Sequence, residues 1–167
     1  MSLVLPSQPL RVGFSRRRRI HAAVKEANRL KSLKPGELRL ALQDLAEECA
    51  PVPHERAVRL REEVLSVSPA CRGRNACLTR SIAVALLCRL DGEWPTWCVG
   101  VLVTPPFTAH AWIEAEGQVV GEELAIGDYQ SFYKVSPGRA LAAAAAAIQS
   151  SAESPGSAVD DDIIERR

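Results

Sequence analysis

Five cysteines (Cys49, Cys71, Cys77, Cys88 and Cys98) occur without a CxxC pair and without a histidine spaced from them as a zinc ligand would be. That spacing argues against a structural metal site. Net charge is nearly absent: 21 basic and 20 acidic residues leave +1 at pH 7, so no global field points to nucleic acid or to an anionic membrane surface. Long apolar runs are absent as well. The run over residues 81–87 falls far short of the roughly 20 residues that span a bilayer. The opening MSLVLPSQPLRVGFSRRRR has no apolar segment ahead of its basic run, and the charged IHAAVKEANRL follows it. This order does not make an export signal. A cytoplasmic protein with reduced thiols is expected, with no metal and no cofactor.

With 167 residues, 47% of them hydrophobic, the chain is long enough for one domain with a real core and short for two. A loose arm is expected over residues 1–14, a single domain over 15–136 and an Ala-rich, largely flexible tail over 137–167. Ser15 is placed to cap a helix over 16–30, whose stripe is Ile20, Ala23, Val24, Ala27 and Leu30. Four arginines at 16–19 sit where the helix dipole disfavours positive charge, which reads as a solvated end or a docking patch. Pro35 starts a second helix, over 35–49, with Leu38, Leu40, Leu42 and Leu45 as its apolar members. Pro51 and Pro53 end that pattern, and a third helix is expected over 54–66 with Ala57, Val58, Leu60, Val64 and Leu65 on one face.

The pattern changes at CRGRNACLTRSIAVALLCRLDG. Gly73 breaks the chain, Asn75 is a good N-cap, and 76–90 is a run of helix formers closed by Gly92. Apolar residues lie nearly all round it, which predicts a buried central helix. Strands follow at WPTWCVGVLV, HAWIEAE and QVVGEEL. Helices followed by antiparallel strands make an α+β domain, with N-terminal helices and the buried helix packed on a small antiparallel sheet.

A thiol acts as a nucleophile only as thiolate, and a helix N-terminus and a neighbouring imidazolium both lower its pKa. Cys77 stands at the start of the central helix, where free backbone N–H groups and the positive end of the dipole converge. Its own N–H is the first candidate donor to an oxyanion. Cys49, Cys71, Cys88 and Cys98 read as small buried hydrophobes. Of three histidines, His21 and His54 lie among charged residues of the N-terminal helices, whereas His110 begins the HAWIE strand, close in the chain to the sheet that packs on the Cys77 helix.

Hairpin register supplies a third group. A three-residue loop Ala115-Glu116-Gly117, with Gly117 left-handed, pairs Glu114 with Gln118 and sets His110 opposite Glu122. A two-residue loop Glu116-Gly117 sets Glu123 there instead. A carboxylate beside the histidine fixes its tautomer and stabilises the imidazolium, against the plain alternative of an exposed surface acid. Trp112, on the His110 face of the strand, is a candidate wall for bound substrate, with core packing as the alternative.

ACLTRSIAVALLCRL, WPTWCVGV and PFTAHAWIEAEGQVVGE, in that order, resemble the leader peptidases of lasso-peptide biosynthesis. The likeness is to their stand-alone form, the peptidase half of the split maturation B protein, within the transglutaminase-like group of papain-type folds. It covers residues 71–122 most closely. It implies Cys77 in CLTRS as nucleophile, His110 in HAW as base and Glu122, twelve positions on, as the third member, with glutamate where many members carry aspartate. Glu123 stays open as the alternative. The resemblance further implies removal of the leader from a ribosomally made precursor peptide, together with a separate leader-binding protein and an ATP-dependent lasso cyclase.

Two other functions fit the same residues. Nucleophile and base do not decide whether water or an amine takes the acyl group, so an acyltransferase or transglutaminase is one. A non-catalytic scaffold of the maturation complex is the other.

Overall fold

A computed structural model describes residues 4–7, 9–103, 105, 107–122 and 126–143. Among the described residues, the first half is mainly helical: α1 (Phe14–Leu30), α2 (Pro35–Ala46), α3 (His54–Val67) and α4 (Cys77–Arg89). Two-residue strands β1 (Ala50–Pro51) and β2 (Glu93–Trp94) pair in parallel. The main sheet contains β3 (Thr96–Leu102), β4 (Ala109–Ala115), β5 (Gln118–Val119) and β6 (Tyr129–Val135), all antiparallel, in the order β5-β4-β3-β6. This is the expected α+β architecture.

The helical stripes bury as their spacing predicts. Ile20, Ala23, Val24, Ala27 and Leu30 of α1 are all in the core. The helix starts one residue before Ser15, with Gly13 at the cap and no side-chain cap bond. In place of a cap, Arg16 ties its first turn to Glu63 of α3 at 2.7 Å. α2 stops at Ala46, where the chain turns into β1, and Leu40 points outward at 62% exposure. α4 is the hub. Ile82, Ala83, Val84, Ala85, Leu87 and Cys88 are at most 1% exposed, because α1, α3 and β4 pack around it.

The chain enters α4 differently from the expected Asn75 cap. Residues Arg74–Ala76 form a 3-10 turn, Asn75 is exposed, and Ala76 holds the cap position without a side-chain bond. Trp97 anchors the sheet to this helix through an indole N–H donated to Ser81 Oγ at 3.0 Å. Both ends of the described chain are tied down. Val4 N–H donates to the Arg72 carbonyl at 2.8 Å and Leu10 N–H to Ser66 Oγ at 3.0 Å. Past residue 137, Arg139 N–H donates to the Cys49 carbonyl at 3.2 Å, and the rest of the expected tail, 144–167, lies outside the described residues.

β6 was not foreseen. Gln130, Phe132 and Lys134 face outward and Ser131 faces inward, so an exposed aromatic and an inward serine break the apolar–polar alternation that marks a half-buried strand in sequence.

Candidate active site

The hairpin between β4 and β5 pairs Ala115 with Gln118 and Glu114 with Val119. The loop is therefore the two-residue Glu116-Gly117, and the expected three-residue loop is not formed. Both loop residues have positive φ, 52° and 75°, the two-residue turn whose twist matches the strands. Glu116 accepts the left-handed conformation while its carboxylate takes the His54 N–H of α3 at 3.3 Å, a favourable partner for a helix N-terminus.

In a continued ladder this register would put Glu123 opposite His110. The ladder does not continue. Val120 N–H makes one more bond, to the Ile113 carbonyl at 3.0 Å, and Gly121 then turns the chain at φ 66°. A side chain at position 121 would be strained at this φ and would displace Arg61, since a Cβ there would lie 2.7 Å from Arg61 Nε. The turn delivers Glu122 to the histidine, with Oε2 at 3.4 Å from His110 Nε2. Glu123 lies outside the described residues.

Glu122 is held from behind by two buried cations. Its Oε1 lies 3.7 Å from Arg61 of α3 and 3.7 Å from Arg80 of α4, whose side chains are 5% and 4% exposed. Arg80 is itself anchored by a bond to the Cys71 carbonyl at 2.9 Å, and Arg61 by Glu62 at 3.3 Å. Burial pushes the Glu122 carboxyl up, but the His110 bond and the two guanidinium groups outweigh it and hold the group below its ordinary range. The acid stays charged.

Cys77 opens α4 and shares a hydrogen bond with His110. Burial opposes its thiolate, yet the imidazole, the backbone N–H of Ala111 and that of Leu78 together bring its pKa below 9.0. His110 shows the complementary shift. Burial disfavours its cation, while bonds to Cys77 and Glu122 raise its pKa to about 9. Since Nε2 faces Glu122, Nδ1 is the nitrogen left for the thiol. The two shifts together favour the thiolate–imidazolium pair over the neutral one. The other four thiols move the opposite way: burial raises Cys49 and Cys71, takes Cys88 to about 12 and raises Cys98 further.

Trp112 does not line an open wall. It is 2% exposed and donates its indole N–H to Glu114 Oε1 at 2.9 Å. Glu114 also accepts from Lys134 at 2.7 Å. The tryptophan stacks beneath His110, with centroids 6.2 Å apart and planes 11° apart, so it supports the histidine from within.

Arg61, Arg80 and Gly121 were missed. The signal for Arg61 was a cation inside the apolar stripe of α3, between Leu60 and Val64. For Arg80 it was the lone charge in the run from Cys77 to Cys88. A charge at a position that periodicity assigns to the core implies a buried partner. The signal for Gly121 was the glycine itself, inside the expected strand QVVGEEL, where a lone glycine marks a bend or a close approach.

Among the described residues, no helix is long and apolar enough to cross a membrane, and no cluster of three His, Cys, Asp or Glu side chains offers a metal site. No curated protein and no solved structure matches the chain. The profile of one family, described as the Transglutaminase-like superfamily, matches residues 9–136, a span that runs from ahead of α1 through β6. A cysteine at the half-buried start of the central helix, facing a histidine on an antiparallel sheet, is consistent with that cysteine-based fold, and the chain belongs to the transglutaminase-like superfamily.

Proposed function

We propose that this protein is a cytoplasmic cysteine peptidase that removes the leader from a ribosomally synthesised lasso-peptide precursor. It would act with a separate leader-binding protein and ahead of an ATP-dependent cyclase. The observation that carries the catalytic half of this reading is the line Cys77, His110, Glu122, with the thiol pKa lowered and the imidazole raised. The order of the CLTRS, HAW and VGE segments carries the choice of substrate.

Cys77 Sγ attacks the scissile carbonyl carbon to form a tetrahedral oxyanion that still carries the amide nitrogen, for which the Cys77 N–H is the first donor. His110, already protonated, gives its proton to the departing amine as the C–N bond breaks. The resulting thioester is attacked by water. His110 takes the proton from that water, and the leader leaves with a free carboxylate as the thiolate is restored. Glu122 keeps the imidazole oriented and stabilises its charge through both steps.

The deciding experiment mixes precursor, leader-binding protein and either the native chain or Cys77→Ala. Native cleavage with none above background in the variant is the expected result, and undiminished cleavage by Cys77→Ala would remove Cys77 as nucleophile. Family membership favours acyl transfer as a second reading, because a transglutaminase-type site passes the same thioester to an amine. Mass analysis separates the two: a leader ending in a free carboxylate marks hydrolysis, and an amide adduct marks transfer.

A further inference from the structure

Beside the three proposed catalytic groups lies a ring that none of those roles uses. Tyr129 opens β6, and its ring stacks on His110 with centroids 5.7 Å and planes 27° apart. The same ring lies 4.8 Å from Trp112, which in turn stacks on the imidazole. His110 is thus packed against two aromatic rings from different strands, while Cys77 of α4 and Glu122 hold its nitrogens and Arg61 and Arg80 stand behind Glu122.

β3 lies between the strands that carry Tyr129 and His110, and what lets the two rings meet is a glycine. Gly100 pairs with His110 on one side and Ser131 on the other. A Cβ at Gly100 would fall on the Gln130 carbonyl oxygen and within 2.7 Å of Ser131 Cα, so β6 crosses this point closer than any side chain allows. The register slips between Val99 and Gly100, leaving Phe132 as the extra residue of a bulge and 67% exposed. Bulges re-aim the strand that carries them, and here the re-aimed end is the one with Tyr129.

We propose that Tyr129 is a positioning residue for His110: its ring, admitted by Gly100, holds the imidazole in the plane that presents one nitrogen to Cys77 and the other to Glu122. The face of the ring also favours the imidazolium over the neutral form. The role rests on the reading of His110 as the general acid and base.

The test compares Tyr129→Ala and Tyr129→Phe in the full chain by two readouts that need no peptide substrate. These are the NMR titration of the His110 ring protons and the rate at which iodoacetamide alkylates Cys77. Tyr129→Ala is expected to lower the His110 midpoint by roughly one pH unit and to slow Cys77 alkylation near neutrality about tenfold. Tyr129→Phe, which keeps the ring, is expected to stay within about twofold of the native rate. An unchanged midpoint in Tyr129→Ala, or a Phe variant as impaired as the Ala variant, would overturn the proposal. A chain whose midpoint moves as expected but which cleaves no precursor would refute the peptidase reading and leave the positioning role intact.

Discussion

His110 Nε2 and Glu122 Oε2 lie 3.4 Å apart, yet no rung of the β-ladder joins their strands at that level. The last paired residues of β4 and β5 are Glu114 and Val119, and a left-handed glycine then swings Glu122 into place over two arginines. The carboxylate is set by a turn and by charge. Strand register does not set it.

Glu122→Gln keeps the shape and removes the charge. The imidazolium loses its stabilising partner, and Arg61 and Arg80 lose their shared anion. Precursor cleavage is expected to fall roughly 100-fold or more, measured as kcat/KM, with the His110 titration shifting downward. Glu123→Gln serves as the companion variant, and a loss confined to that one would reassign the third member.

Gly121→Ala tests the turn. An added methyl meets Arg61 at 2.7 Å in a backbone conformation with φ 66°, which L residues rarely adopt. Strain of this kind costs about 1–3 kcal/mol, so the melting temperature is expected to drop by several degrees for a domain of this size. Cleavage should fall with it, because relief of the clash moves Arg61 or Glu122. A variant with native Tm and native kcat/KM would show that Gly121 does not place the acid.

The pH profile follows from the two opposite shifts. His110 titrates at about 9 in the folded chain against an ordinary 6.5, so its charged form adds stability that is complete below 6.5 and lost as pH rises through about 9. Cys77 is lowered from 9.0, so its contribution is present above that value and lost as pH falls through the folded pKa. Thiolate and imidazolium coexist between these limits, and the apparent values belong to the pair. Plotted against pH, kcat/KM should therefore be bell-shaped with its alkaline limb near 9, and iodoacetamide should label Cys77 ahead of the other four thiols at neutral pH. An alkaline limb near 6.5 would mean that His110 is not held as a cation.

Trp112→Phe separates support from substrate contact. The change leaves Glu114 Oε1 without its indole donor in a site where Glu114 is 6% exposed, at a cost of about 1–3 kcal/mol. Stability and kcat should decline while KM stays near the native value. A raised KM with unchanged Tm would return Trp112 to the substrate-binding surface.

Much of this was legible from residue order alone, for a definite physical reason. Helical periodicity named the buried stripe of α1 residue by residue, since the chain must turn a continuous apolar face to the core. The helix-start position of Cys77 picked one thiol of five, because unpaired N–H groups at a helix end are a local property of the chain. His110 and Glu122 emerged from the HAW and VGE segments and their spacing.

Tertiary structure decided the rest. A hairpin loop of three residues or two turns on a single left-handed residue, Glu116, and a long-range bond to the His54 N–H on α3 helps hold it there. The supports of Glu122 come from α3 and α4, and Tyr129 comes from a strand whose alternation is broken at Ser131 and Phe132. Sequence by itself determined which groups are the candidates for chemistry, since reactivity begins with local backbone and residue type. Only the packed fold decided what holds them, because an ion pair, a ring stack and a Cβ-sized gap are relations between segments far apart in the chain.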